Sequence, residues 1–160
     1  MLPTEYLDQI RNLLDKIEIT GIDRACFTYD TGIEIIMEML FRCKQGQKTL
    51  YLCGNGGSAG IAQHMTADFL RNGGLRTHSL YEQAALTCIS NDFSYEQVFS
   101  RQLDILAEPE ELLIAVSSSG NSANIINAAE IMRSKGGKII TFTGFTSHNK
   151  LRQMGEKRPE

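Results

Sequence analysis

Apolar residues recur at helical spacing through the first quarter of the chain. Residues 4–19 carry five such positions, Leu7, Ile10, Leu13, Leu14 and Ile17. Residues 27–44 carry five more, Ile33, Ile36, Met37, Leu40 and Phe41. This spacing predicts two amphipathic helices, with a break at Gly21 and an end at Gly46. Both precede the first strand, so two interpretations stay open. The stripes pack into the core of one protomer, or they bundle between subunits.

After residue 49, apolar runs alternate with helical segments. Strands are predicted at 50–53, 76–80, 112–116 and 138–143, and the run at 76–80 is the weakest. Helices are predicted at 58–72, 82–90, 95–106, 123–135 and 147–154. Each crossover is long enough for a parallel connection. The pattern therefore predicts an α/β layer fold behind a helical N-terminal extension at 1–46, with a disordered tail at 155–160.

Composition narrows the class of protein. A chain of 160 residues with 42% hydrophobic and 22% charged residues is expected to form one globular domain. The net charge of −3 and the lack of a basic block argue against a nucleic-acid partner. No signal peptide or membrane-spanning run is apparent, so a cytoplasmic protein is expected. The four cysteines, at positions 26, 43, 53 and 88, form no CxxC pair and are interpreted as reduced core thiols.

Two predicted strands end in polar turns that begin helices. The glycine turn is residues 54–58, GNGGS, and the serine turn is residues 117–122, SSSGNS. Glycines let backbone N–H groups approach an anion closely, and a helix start adds unpaired donors. Serine hydroxyls also donate to phosphate oxygens, although a serine-rich turn is often only a helix cap. If the two strands are neighbours, both turns meet at one crevice, which favours a phosphorylated small molecule.

Neither turn has the spacing of a P-loop or of a dinucleotide-binding GxGxxG motif. His64 and Asp68 lie one helical turn apart behind the glycine turn, so they share a face. Such a pair serves in proton transfer or metal binding, but it is more often a surface hydrogen bond. Asn91 and Asp92, in a polar break, are further candidates. His78 and His148 are predicted to be surface residues.

Three stretches of the chain resemble a known family. They are CGNGGSAGIAQHMTADF at 53–69, SNDFSYEQVFSRQ at 90–102 and AVSSSGNSANIINAAEIMRSKGGKIITFTG at 115–144. Together they are similar to the SIS (sugar isomerase) domain, and within it to the phosphoheptose isomerases of bacterial heptose and lipopolysaccharide precursor synthesis. The resemblance implies a three-layer α/β/α sandwich with a parallel, flavodoxin-like sheet. It also implies a homotetramer with sites between subunits, and zinc.

The resemblance also implies site residues. Substrate would be held by Asn55, Gly56, Gly57, Ser58, Asn91, Asp92, Ser117, Ser118, Ser119 and Ser122. Of these, the serines of the serine turn (Ser117, Ser118, Ser119 and Ser122) would bind its phosphate. His64 and Asp68 stand where the family has a metal-binding His and a catalytic, metal-binding Glu. They would act as catalytic residues and as metal ligands.

The chain departs from the family pattern in two ways. Asp68 replaces the Glu and is shorter by one methylene, or about 1.5 Å. A displacement of that size can cost on the order of a hundredfold in rate. The family also continues with another strand and a long helix that bring a Gln and a His. Residues 47–154 are therefore interpreted as a SIS domain lacking these last elements, with an incomplete zinc site and impaired activity.

Two classes of function follow. The first hypothesis is isomerisation of sedoheptulose 7-phosphate to D-glycero-D-manno-heptose 7-phosphate, in which Asp68 moves a proton between C1 and C2. The alternative is a non-catalytic SIS protein that binds a phosphosugar or regulates a partner, like the SIS regulator of replication initiation. A third interpretation, without a function, is a truncated product that aggregates.

Overall fold

The first helix is shorter than its apolar pattern predicts. In the computed structural model, which describes residues 2–155, helix α1 covers Pro3–Leu14 and ends before Ile17. Pro3 occupies the first helical position, where a missing N–H costs nothing. No residue of α1 is buried. Its apolar stripe is therefore not packed into the core formed by the described residues.

A short antiparallel hairpin, absent from the sequence-based prediction, follows α1. Strands β1 (Ile19–Thr20) and β2 (Cys26–Phe27) pair across it. Gly21, predicted only as a break, lies in this hairpin and donates its N–H to the Ala25 carbonyl at 2.8 Å. The Phe27 ring lies 2.7 Å from where a Cβ on Gly21 would be, so the position favours glycine. Ile19 thus belongs to a strand and not to the predicted helix.

Helix α2 (Tyr29–Gln45) agrees with its prediction within two residues. Thr28 caps it, because its hydroxyl accepts the Thr31 N–H at 3.3 Å. Only part of the predicted stripe reaches the core. Leu40 is buried, whereas Ile33, Met37 and Phe41 are exposed.

Four parallel strands form the central sheet. They are β3 (Thr49–Gly54), β4 (Arg76–His78), β5 (Leu112–Ser117) and β6 (Lys138–Thr143). Their order in the sheet is β4-β3-β5-β6. Strand β6 has the predicted bounds, and β3 and β5 extend slightly beyond theirs. Strand β4 is shorter than the predicted 76–80, since Leu80 is already in the connection.

Four of the remaining helices lie in the connections between these strands, and the fifth follows β6. They are α3 (Gly57–Asp68), α4 (Gln83–Asp92), α5 (Ser100–Leu106), α6 (Ala123–Ser134) and α7 (Lys150–Gly155). The predicted helix at 58–72 changes to a π-helical turn at Phe69–Gly73. The predicted helix at 95–106 is divided into a 3-10 turn at Tyr95–Gln97 and α5. The predicted tail begins inside α7 at residue 155, and residues 156–160 lie outside the described residues.

Apolar side chains cover both faces of the sheet. On one face Leu50, Leu52 and Ile114 pack with Leu40 of α2 and Ala62 of α3. On the other face the sheet packs against α5, α6 and α7, through residues such as Leu103, Ile125 and Leu151. The predicted three-layer α/β/α sandwich with a parallel sheet is therefore confirmed. The predicted division into an N-terminal extension (1–46) and a SIS domain (47–154) stays a prediction.

Two further observations concern the described residues as a whole. All four cysteines are free thiols, but only Cys43 and Cys53 are buried, so the core interpretation is wrong for Cys26 and Cys88. Burial raises the pKa of the Cys53 thiol to about 12, so that thiol stays protonated at neutral pH. Among residues 2–155, no helix combines the length and the apolar character needed to cross a bilayer.

Candidate functional site

The glycine turn and the serine turn leave adjacent strands. Strands β3 and β5 are hydrogen-bonded in parallel, with Gly54 opposite Val116 at their last paired position. Because both strands run in the same direction, both turns emerge at the carboxyl edge of the sheet. This is the edge at which open α/β sheets bind ligands.

Glycine geometry shapes the first turn. Gly56 has φ 55° and ψ −120°, a backbone conformation that side-chain-bearing residues rarely adopt. A Cβ on Gly54 would lie 2.7 Å from the Ser58 Cβ, so the chain folds back tightly here. No side chain caps α3 at Gly56. The Ser58 and Ala59 N–H groups donate to the Asn55 and Gly56 carbonyls at 3.0 Å, which leaves the Gly57 N–H, at the first helical position, as the helix-start donor for an anion.

Hydroxyl groups shape the second turn from within. The Ser117 hydroxyl accepts the Gly120 N–H at 3.2 Å and lies 3.4 Å from the Ser122 hydroxyl. The Ser119 hydroxyl accepts the Asn121 N–H at 3.2 Å. Ser122 precedes α6 but makes no side-chain capping bond. The helix-cap interpretation of this turn therefore does not apply to Ser122. At the start of α6 the Ile125 N–H donates to the Ser122 carbonyl at 3.1 Å, and the Ala123 and Asn124 N–H groups stay available as donors.

A buried asparagine supports the serine turn from below. Asn149 is fully buried and donates to the Thr143 hydroxyl at 3.0 Å and to the Thr146 carbonyl at 2.8 Å. Gly120 has φ 62°, and a Cβ there would lie 2.0 Å from the Asn149 Oδ1. The Gly120 carbonyl also accepts the Leu151 N–H at 2.9 Å. Sequence reasoning missed Asn149, since no local pattern connects it with residue 120.

A pair of side-chain amides joins the glycine turn to the start of α6, which follows the serine turn. The Asn55 Nδ2 donates to the Asn124 Oδ1 at 2.9 Å, and the Asn124 Nδ2 donates back to the Asn55 Oδ1 at 2.9 Å. The Tyr95 hydroxyl donates to the same Asn55 Oδ1 at 3.1 Å. Asn124 and Tyr95 were not among the predicted site residues. Asn124 lies two residues after the serine turn, which is the one sequence signal that could have identified it.

His64 and Asp68 form the predicted pair on α3. Their Nε2 and Oδ2 atoms are 3.5 Å apart, and their side chains are 78% and 45% exposed. The π-helical turn begins directly after Asp68, and such turns are frequent at functional sites. The geometry alone is compatible with both the surface hydrogen bond and the acid/base interpretation.

The donor set for zinc is incomplete in the described part of the chain. Protein zinc sites use three or four protein ligands, and His64 with Asp68 supplies two. Within residues 2–155 no group of three or more His, Cys, Asp or Glu side chains could hold a metal ion. These residues alone do not fit zinc, so zinc stays a prediction and no reaction step is assigned to it here.

The structure does not join Asn91 and Asp92 to either turn. They are the last residues of α4 and not a break between helices, because the helix continues through them. The Asn91 amide donates to the Asp92 carboxylate at 2.8 Å and holds its pKa below the ordinary value. The Cys88 thiol, one helical turn before Asp92, donates to the same carboxylate at 3.4 Å. His78 and His148 are exposed, as predicted.

Comparison with known proteins agrees with this architecture. The profile of the SIS domain matches residues 5–144. The chain belongs to the SIS domain family. A phosphoheptose isomerase from Shewanella denitrificans is 38% identical to this SIS chain over 144 residues, covering 86% of it and 73% of the relative.

Two solved phosphoheptose isomerases share the SIS fold of this chain. The one from Neisseria gonorrhoeae is 34% identical with a TM-score of 0.69, over 74% of this chain and 64% of that chain. The one from Francisella tularensis is 29% identical with a TM-score of 0.71, over 76% of this chain and 66% of that chain. This chain thus spans slightly less than two thirds of both solved proteins.

Proposed function

We propose that this SIS-domain chain is an aldose–ketose isomerase that converts sedoheptulose 7-phosphate to D-glycero-D-manno-heptose 7-phosphate. The observation that carries this proposal is the meeting of the two turns at one sheet edge, joined by the Asn55–Asn124 amide pair. The names of the relatives supply the substrate. All three are phosphoheptose isomerases, so the comparisons do not favour the non-catalytic alternative.

The phosphate group is assigned to the serine turn. The hydroxyls of Ser117, Ser118, Ser119 and Ser122 and the uncapped start of α6 offer donors without a fixed positive charge. The glycine turn, residues 54–58, then faces the sugar with backbone N–H groups. Asn91 and Asp92 are assigned to the sugar on family resemblance alone.

Proton transfer is assigned to Asp68. In the forward direction its carboxylate takes a proton from C1 of the ketose, and the electron pair of that C–H bond forms the C1–C2 double bond. The C2 carbonyl electron pair moves onto O2, which takes up a proton from water, and the product is an enediol. Asp68 then returns its proton to C2 while O1 loses its proton to water, so that C1 becomes the carbonyl carbon of the aldose. The His64 Nε2 lies 3.5 Å from the Asp68 Oδ2, where it orients the carboxylate and shares the proton of the Asp68 carboxyl group. Because Asp68 is shorter than the family's Glu, we expect a slow enzyme.

The experiment is to incubate the purified chain with sedoheptulose 7-phosphate and measure the aldose product, with and without added zinc. Asp68→Asn keeps the shape of the side chain and removes the base, so we expect a rate lower by about a hundredfold or more. Glu130→Gln on the exposed side of α6 is the matched control and should leave the rate unchanged. Lack of product from the unaltered chain under both conditions would contradict the proposal.

A homotetramer, a cytoplasmic location and a role in lipopolysaccharide precursor synthesis belong to the same proposal. What supports an oligomer is the exposure of apolar side chains on α1 and α2. Leu13 and Leu14 are 65% and 60% exposed, and Phe41 is 57% exposed. Covering them with a second copy would remove this surface from water. Light scattering of the purified chain tests the assembly, and a stable monomer would contradict it.

A further inference from the structure

One position at the start of the glycine turn lacks a neighbouring strand. Strand β4 pairs with β3 only at residues 49–51 of β3, where His78 lies opposite Tyr51. Gly54, three residues further, pairs with β5 on its other side. Within residues 2–155, no strand reaches the β4 side of Gly54. Unpaired N–H and C=O groups at a buried strand end such as Gly54 are costly, so a partner is required.

The Tyr81 hydroxyl supplies that partner. It accepts the Gly54 N–H at 2.7 Å and donates to the Gly54 carbonyl at 2.6 Å. One side-chain oxygen therefore satisfies both backbone groups of the residue from which the glycine turn begins. Tyr81 comes from the connection between β4 and α4, which is far from residue 54 in sequence.

Packing holds the Tyr81 ring in place. Its ring meets the buried Phe99 ring edge to face, with centroids 5.5 Å apart and planes at 75°. Burial is the largest cause that raises the pKa of Tyr81, so the hydroxyl keeps the proton that it donates to Gly54. The support is thus rigid and neutral across the physiological pH range.

We propose that Tyr81 is a positioning residue for the glycine turn. It acts through Gly54 and fixes the direction in which the N–H groups of residues 55–57 leave the strand. It touches neither the sugar nor the reacting atoms. The inference rests on the proposed function only for the ligand, because the hydroxyl contact to Gly54 exists without any ligand.

A matched pair of variants tests this role. Tyr81→Phe removes one oxygen and keeps the ring packing. Tyr51→Phe is the control, since the Tyr51 hydroxyl also donates to a backbone carbonyl, that of Leu106, at 3.0 Å. Tyr51 lies on β3, the strand that ends at Gly54, but before the glycine turn begins. Both variants should lower the melting temperature, Tyr81→Phe by more because it removes two hydrogen bonds and Tyr51→Phe removes one, so a loss of stability alone does not show a positioning role.

Two measurements separate the variants. The first is amide hydrogen exchange, in the ligand-free protein, at residues 58–60, whose N–H groups donate to the Asn55 and Gly56 carbonyls of the turn. The second is the dissociation constant of sedoheptulose 7-phosphate. We expect Tyr81→Phe to speed exchange in the turn and to weaken binding, each by about tenfold, as for a lost buried hydrogen bond. We expect Tyr51→Phe to change neither by more than about twofold.

Equal exchange at residues 58–60 in the two variants would overturn the inference. Weaker binding without faster exchange would also overturn it, because the hydroxyl would then act on the ligand directly. If the unaltered chain binds no sedoheptulose 7-phosphate but exchange in Tyr81→Phe rises, the positioning role stands and the proposed function fails. The two ideas can therefore fail separately.

Discussion

The glycine turn and the serine turn, at the carboxyl edge of the sheet, have the same construction but are held in different ways. Each leaves a parallel strand and begins a helix without a side-chain cap. The serine turn is held by its own hydroxyls and, from below, by Asn149. The glycine turn has no such internal bonds from hydroxyls at its tip. Side chains from other elements, Tyr81, Tyr95 and Asn124, hold it instead.

This difference separates local from remote control of a site. A turn that carries its own polar side chains shows its chemistry in the sequence. A turn made of glycines offers only backbone groups, so its precision must come from residues that are distant along the chain. We therefore expect substitutions of remote supports to damage the glycine turn, and substitutions within residues 117–122 to damage the serine turn.

The largest effect is expected from Gly120→Ala. The added Cβ would overlap the Asn149 side chain, and the residue would keep a left-handed φ of 62°. Backbone strain and overpacking together should lower the free energy of unfolding by about 2–5 kcal/mol. Urea denaturation measures this. Gly60→Ala, with no heavy atom within 4 Å of its Cβ, is the control and should be neutral or stabilising.

The next effect is expected from Asn124→Ala. This side chain is 3% exposed, and its loss leaves the Asn55 Nδ2 without its partner. We expect a loss of about 1–3 kcal/mol in unfolding free energy. A double-mutant cycle with Asn55→Ala sharpens the test, because the two amides act as a unit. Additive effects of the two substitutions would show that the amide pair does not couple the turns.

A smaller effect is expected from Ser117→Ala within the serine turn. The Gly120 N–H is shared between the Ser117 hydroxyl at 3.2 Å and the Ser117 carbonyl at 3.0 Å, so loss of the hydroxyl should cost no more than about 1 kcal/mol. The Ser118 hydroxyl, by contrast, is exposed and makes no hydrogen bond within residues 2–155. Ser118→Ala should therefore leave stability within about 0.5 kcal/mol of the unaltered chain. Thermal unfolding of both variants decides whether the turn depends on its internal bond.

The smallest effect is expected from Tyr95→Phe. The Tyr95 side chain is 58% exposed, and the Asn55 Oδ1 keeps its bond from Asn124 when the Tyr95 hydroxyl is removed. A change of no more than about 0.5 kcal/mol in unfolding free energy is expected. If Tyr95→Phe proves more damaging than Asn124→Ala, the order of supports proposed for the glycine turn is wrong.

The sequence predicted the parts of the site that depend on local rules. Glycines and serines at strand ends predicted both turns. The spacing of the apolar residues located the strands, and the predicted bounds of β6 agree with the structure. It failed where tertiary contacts override local preference. Residues 95–106 have a helical pattern, but in the structure they form two pieces, a 3-10 turn that contacts α4 and α6 and helix α5 that contacts α6. Asn91 and Asp92 look like a break, but they extend α4.

By itself, the sequence determined the α/β alternation, the two polar turns and the spacing of His64 and Asp68. These follow from side-chain periodicity and from backbone preferences of glycine and serine, which act over a few residues. Only the tertiary structure decided that β3 and β5 are neighbours and that Tyr81 and Asn124 support the glycine turn. Contacts of that kind depend on how the layers pack. Gly54 and Tyr81 are 27 positions apart along the chain, and Asn55 and Asn124 are 69 positions apart, so no local sequence pattern indicates either contact.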